Sequence, residues 1–168
     1  MKVELHPHSK SGRRVLDSLE VHVERKGPVL WLRFVTEGDV DEIAWPKPAD
    51  RERADRLWEH TCFEAFVTVE EGYVEYNLSP SEQWATYRFE GYRQGMRNAD
   101  EVVAVEGLDL ASDMLAMEAR IELPPGARRL ALSAVIEATD GSKSYWALAH
   151  PSDKPDFHHP DSFVLELA

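Results

Sequence analysis

An all-β fold, a single domain of two packed antiparallel sheets forming a β-sandwich, is what this sequence predicts, on three observations. Apolar and polar residues alternate with a period of two along most of the chain, the pattern of strands that bury one face and wet the other. The alternating runs, about eight or nine of them, are separated by Gly, Pro and acidic turns, which suits two packed sheets better than a helical bundle. Only "ADRERADRLWEH" could form a helical turn or two. A chain of 168 residues fits one domain spanning 1–168, long enough to bury a core without cross-links.

The elements follow in order. In "LEVHVER", Leu19, Val21 and Val23 alternate with Glu20, His22 and Glu24. After Gly27 and Pro28, "VLWLRFV" puts Leu30, Leu32 and Phe34 on one face and reads as the hairpin partner. Residues 36–56 are polar and contain Pro46 and Pro48, a long loop of the kind that often carries function. "LWEHTCFEAFVTV" resumes alternation, with Phe63, Ala65, Val67 and Val69 on one side and His60, Cys62, Glu64, Phe66 and Thr68 on the other. "YVEYNLS" sets Val74, Tyr76 and Leu78 against Tyr73, Glu75 and Asn77, and "QWATYRF" sets Ala85, Tyr87 and Phe89 against Trp84, Thr86 and Arg88. Short turns make these three an antiparallel meander. Further strands are expected at "EVVAVEG", "MLAMEARIEL", "RLALSAVIEA" and the closing "FVLEL". The second of these is rich in helix formers, but its unbroken alternation and the Pro-Pro-Gly that follows favour a strand.

Nineteen Lys and Arg against thirty-one Asp and Glu give a formal charge of −12, a field that repels phosphate backbones and argues against a nucleic-acid partner. No stretch approaches the roughly 18 apolar residues of a membrane span, and "MKVELHPHSKSGRR" lacks the apolar region of a signal peptide, so neither membrane nor export is expected and the location expected is cytoplasmic. The one cysteine, Cys62, cannot form an intrachain disulfide and is expected to be a buried thiol.

The alternation assigns the meander an unusual outward face: His60 and Glu64, then Glu75 and Asn77, then Trp84, Thr86 and Arg88. Planar donors and acceptors beside an indole suit sugar hydroxyls and the apolar face of a pyranose. The bland alternative is a row of cross-strand ion pairs with Trp84 packed at the edge. The tail stretch "SYWALAHPSDKPDFHHPDSF" adds Trp146, His150, Asp156 and His158, and such a loop can roof a pocket on the sheet. The roles expected are stacking for Trp84 and Trp146, hydrogen bonding for Glu64, Glu75, Asn77 and Arg88, and loop closure for His150, Asp156 and His158.

"RLWEHTCFEAFV", "YVEYNLSPSEQWATYRFEGYRQGM" and "SYWALAHPSDKPDFHHPDSFVLEL" resemble the DOMON-like proteins of bacteria, which are similar to the family 9 carbohydrate-binding modules. The resemblance spans 57–167 well and 1–56 more loosely. It implies a β-sandwich holding a sugar or a haem, with Glu64 facing the ligand groove and "FHHPDSF" as the final loop before the last strand. Sugar-binding members clamp the ligand between two tryptophans, for which Trp58, Trp84 and Trp146 are the candidates. Haem-binding members use Met and His as axial ligands, and Met96, His150, His158 and His159 are available. Calcium stabilises some relatives, although no Asp-rich loop here has its ligand spacing.

Rival chemistries are less well served. His158 and His159 are adjacent and point apart in extended chain, so a zinc site would gain at most one of them. Glu64 and Glu75 could be an acid and base pair of a glycoside hydrolase, but any outward carboxylates on neighbouring strands meet that spacing. There is no nucleophile elbow, P-loop or dinucleotide motif. The expectation is therefore a non-catalytic ligand-binding module for a sugar or sugar-like molecule with no required cofactor. A haem-binding domain and a protein-interaction or structural module are the alternatives.

Overall fold

The structure is a computed structural model and describes residues 1–167. It is all-β: twelve strands join in one antiparallel hydrogen-bonded sheet that curls on itself, and the only helical pieces among the described residues are three single 3-10 turns. In chain order the strands are β1 (Lys2–Pro7), β2 (Leu16–Lys26), β3 (Val29–Gly38), β4 (Cys62–Thr68), β5 (Tyr73–Leu78), β6 (Trp84–Phe89), β7 (Arg97–Asn98), β8 (Val103–Leu110), β9 (Met114–Glu122), β10 (Arg129–Glu137), β11 (Lys143–Ala147) and β12 (Leu165–Glu166). The spatial order runs β7-β6-β5-β4-β10-β11-β1-β2-β3-β9-β8, with β12 beside β10. Among the described residues no helix is long and apolar enough to cross a membrane.

The path is continuous because β1 serves both halves. Lys2 to Leu5 pair with β2, and His6 and Pro7 pair with Ala147 and Trp146 of β11. The curl brings strands far apart in the ladder to a shared core: the rings of Phe34 on β3 and Phe63 on β4 lie 4.8 Å apart. Leu19, Val21, Leu30, Leu32, Val74, Tyr76, Leu132 and Ile136 fill the same core from both halves. This is the burial that the period-two apolar sets require. "MLAMEARIEL" is indeed extended, pairing with β3 along nearly its whole length, so tertiary pairing overrides its helical propensity.

Several details differ from the sequence expectation. β1, β7 and β11 are additional strands. Residues 57–59 form a 3-10 turn rather than the start of β4, following Arg56 in the left-handed region at φ 63°. The closing strand shrinks to Leu165–Glu166. Most consequential, the meander does not have a wet face. Every residue of β5 is buried, because a second apolar cluster, built from Phe66, Tyr73, Ala85, Tyr87, Phe89, Ala131 and Phe163, covers the sheet's other side. The tail loop supplies Phe163 to that cluster, and Phe157 packs against it.

Candidate functional site

Strand register decides which side chains meet, since residues directly opposite in a ladder point to the same face. Glu64 of β4 lies opposite Asn77 of β5 and Ser133 of β10, and Glu75 lies opposite Phe66 and Tyr87. On β11, Tyr145 is opposite Val135 and Lys143 opposite Glu137, in step with Cys62 and Glu64. Glu64, Glu75 and Asn77 therefore share one face with Tyr87, Phe89, Val135, Lys143 and Tyr145.

On that face a cleft of ≈ 510 Å³ opens. Glu64 and Glu75 form its floor, and Phe89, Val135, Lys143 and Tyr145 line it from neighbouring strands. Loops complete the walls: Trp58 and Glu59 from the 3-10 turn, Arg93 and Met96 from the loop between β6 and β7, and Pro155, Phe157 and His158 from the tail. The floor carboxyls are 3% and 5% exposed, and Asn77 beside them is fully buried. Neither the nitrogen nor the oxygen of the Asn77 amide makes a hydrogen bond of good geometry, though the amide still bears on the Glu75 carboxyl and lowers its pKa. Ser133 Oγ reaches Glu64 Oε2 at 3.5 Å.

Burial dominates the titration of the pair. It raises Glu64 well above the ordinary carboxyl range, and the neighbouring Glu75 raises it further against the Ser133 hydroxyl. Burial also lifts Glu75 to about 7, opposed by the Asn77 amide and Arg93. Burial thus favours the protonated form of both carboxyls, and Glu75, at about 7, shares its proton with solvent near neutrality.

The tail loop is pinned over the cleft by Asp156. Its carboxylate accepts from the Arg93 guanidinium at 2.8 Å, from the Tyr92 hydroxyl and from the His158 backbone N–H at 3.1 Å. Burial alone would raise Asp156, but the bonds from Tyr92 and Arg93 hold it below its ordinary value. His158 sits among Phe66, Tyr73 and Phe89. Burial, then Arg93, push its pKa down to about 4, so it is neutral at physiological pH. Its Nδ1 is 2.8 Å from the Tyr73 hydroxyl, which also accepts from the Arg93 backbone N–H at 3.2 Å. The tautomer that satisfies both bonds has Tyr73 donating to Nδ1, which puts the ring proton on Nε2, 3.7 Å from Glu75 Oε2 and beyond hydrogen-bond reach.

No family model matches this chain, and no curated protein matches it. Its chemistry has to be read from the cleft.

Of the sequence-predicted residues, the structure brings Trp58, Glu64, Glu75 and His158 to the cleft, with Asn77 in the floor's register and Asp156 as the loop's clamp. It places five elsewhere. Trp84 packs against the main core and Arg88 pairs with Glu101. Both lie on the opposite face, because the phase of β6 is the reverse of the one expected: Ala85, Tyr87 and Phe89 share the Glu64 face. Trp146 is 1% exposed, in the main core, with its indole N–H on Ser144 Oγ, so it cannot stack on a ligand. His60 bonds Glu137 at the sheet's end. His150 bonds the His6 carbonyl and meets the His8 ring edge-on, away from the cleft. Arg93 and Lys143 line the cleft without having been expected there. Their signal was weak, since Arg93 reaches the site through a left-handed backbone at φ 53° and Lys143 through the pairing of β11. Cys62 is a buried thiol whose pKa burial raises strongly. Among the described residues no group of three or more His, Cys, Asp or Glu is placed to hold a metal ion.

Proposed function

We propose that the protein is a non-catalytic binding module of the DOMON-like, carbohydrate-binding type, and that its ligand is a sugar or sugar-like small molecule seated in the cleft. The carrying observation is the floor: two buried carboxyls whose proton affinity burial raises, in register with Asn77, beneath walls that include Trp58, Phe89, Tyr145 and Phe157. A protonated carboxyl both donates and accepts, as a sugar hydroxyl does, while the aromatic rings offer stacking surface to the C–H face of a pyranose. A cavity of this size suits a small ligand. The sandwich architecture belongs to the same proposal, the curl of the sheet setting its two halves face to face across one core. Cys62, a single buried thiol, accords with a reducing compartment such as the cytoplasm.

A haem fits this cleft poorly. Met96 and His158 both line it, but His158 has Nδ1 engaged by Tyr73 and Nε2 only 3.7 Å from Glu75 Oε2, so an iron taking Nε2 would have to sit against the buried carboxyl. Calorimetric titration with neutral monosaccharides tests the sugar reading. Binding to the native protein that Trp58→Ala weakens about tenfold, without loss of folding, is the expected result, in line with the truncation of one stacking ring. A panel of sugars giving no heat and no thermal shift overturns it.

A further inference from the structure

The cleft's floor and walls differ in what they offer a ligand, and the difference narrows the ligand class. Glu64 and Glu75 are acidic side chains almost wholly withdrawn from water, yet no cationic side chain is paired with either. The closest basic group, His158, stands 3.7 Å from Glu75 and is neutral. Arg93, on the wall, is bonded to Asp156 and still draws Glu75 down, and Lys143 lines the same cleft without pairing with either floor carboxyl. Above the floor stand four aromatic rings, those of Trp58, Phe89, Tyr145 and Phe157. Buried carboxyls under aromatic faces are what a desolvated cation needs, since carboxylate oxygens accept its N–H bonds and the rings attract its charge.

We propose that the ligand is an amino sugar whose unsubstituted ammonium group docks on Glu64 and Glu75 between these aromatic walls. The inference rests on the sugar reading and adds the group that reaches the floor. Binding is an exchange of charge: the ammonium arrives, the carboxyl pair gives up a proton to solvent, and the floor's net charge is balanced in both states. The other titratable groups around the floor are Cys62 on β4, Tyr73 on β5, Glu137 on β10, Lys143 and Tyr145 on β11, Glu59 in the 3-10 turn, Arg93 before β7, and Asp156 and His158 in the tail. Burial holds Cys62 as a neutral thiol and His158 as a neutral ring, and Asp156 neutralises Arg93. Of these groups the floor pair is the one whose proton an ammonium docked on it displaces.

The test is calorimetry on the full chain at pH 6 with glucosamine, glucose and N-acetylglucosamine, each in buffers of different ionisation enthalpy. Glucosamine is expected to bind at least about tenfold more tightly than the other two, as a charge-assisted bond replaces a neutral one, with about one proton released per ligand and none for the neutral sugars. Glu75→Gln is expected to lower glucosamine affinity at least about tenfold more than it lowers glucose affinity. Should that variant not fold, Glu64→Gln and the proton count on the native protein carry the same comparison. Equal affinity for glucose and glucosamine, or tight glucosamine binding without proton release, overturns the ammonium inference and leaves the sugar reading standing. Silence from all three sugars overturns both.

Discussion

Glu75 shows how much one side chain can tie stability to pH. Its folded pKa of about 7 lies above the ordinary 4.5, so the folded state holds a proton that the unfolded chain has already released. Stability from this group is fully present below pH 4.5 and is lost as pH rises towards 7. Glu75→Gln, which keeps the shape without the charge, is expected to unfold like the native protein at pH 4.5 and to be more stable by on the order of 3 kcal/mol at pH 8, read from urea midpoints at both values. A gain that does not grow with pH contradicts the burial argument. His158 works in the opposite sense. Its pKa falls from 6.5 to about 4 on folding, so its contribution is present above 6.5 and drains away as pH falls to 4. Tyr73→Phe removes the hydroxyl at 2.8 Å from His158 Nδ1. It is expected to cost about 1 to 3 kcal/mol, the penalty for a buried ring nitrogen left without a partner, measured by denaturation at pH 7.

Strands carry the next level of constraint, and the turn between β4 and β5 is the sharpest instance. Gly72 has φ +80°, and a Cβ there would stand 1.8 Å from the Phe89 carbonyl oxygen. Gly72→Ala is expected to destabilise by more than about 1 kcal/mol and to disturb Tyr73 and Glu75 immediately after it, so ligand affinity falls along with the melting temperature. A neutral effect on both measurements would mean that β6 can give way. The same hairpins mark how far the site was legible in the sequence. Period-two alternation exposed β2, β3, β5, β9 and β10, and it put Glu64, Glu75 and Asn77 on a common face because their apolar neighbours form one clear set. It failed on β6, because its more apolar set packs into the second cluster and not into the main core. Ala85, Tyr87 and Phe89 fill the second cluster, while Thr86 is buried on the other side with its hydroxyl on the Ala99 carbonyl. When each face meets its own apolar cover, hydrophobicity no longer tells inside from outside. Trp146 was misplaced for a related reason, since its polarity contrast with Tyr145 is slight and only pairing with β10 and β1 shows which of them enters the core.

At the level of the whole molecule, two covers hold the sheet: its own curl on one side and the tail loop on the other. Phe63, fully buried against Phe34 across the curl, is a keystone of the first, and Phe63→Ala is expected to cost about 3 to 5 kcal/mol by chemical denaturation. The second cover depends on Asp156, where bonds from Arg93, Tyr92 and the His158 backbone converge. Asp156→Ala is expected to speed amide exchange across residues 153–163 while β2, β3 and β9 stay protected, as befits a locally opening unit. Uniform acceleration throughout would instead tie the tail to global unfolding. The cleft draws its floor from paired strands and much of its wall from three separate loops. The Trp58 turn can be exchanged by itself, and the Tyr92–Arg93 loop together with the tail it is bonded to through Asp156, while the floor residues stay on their paired strands. Selection or a protein engineer could thus retune which guest is admitted while the acidic base beneath it is inherited unchanged.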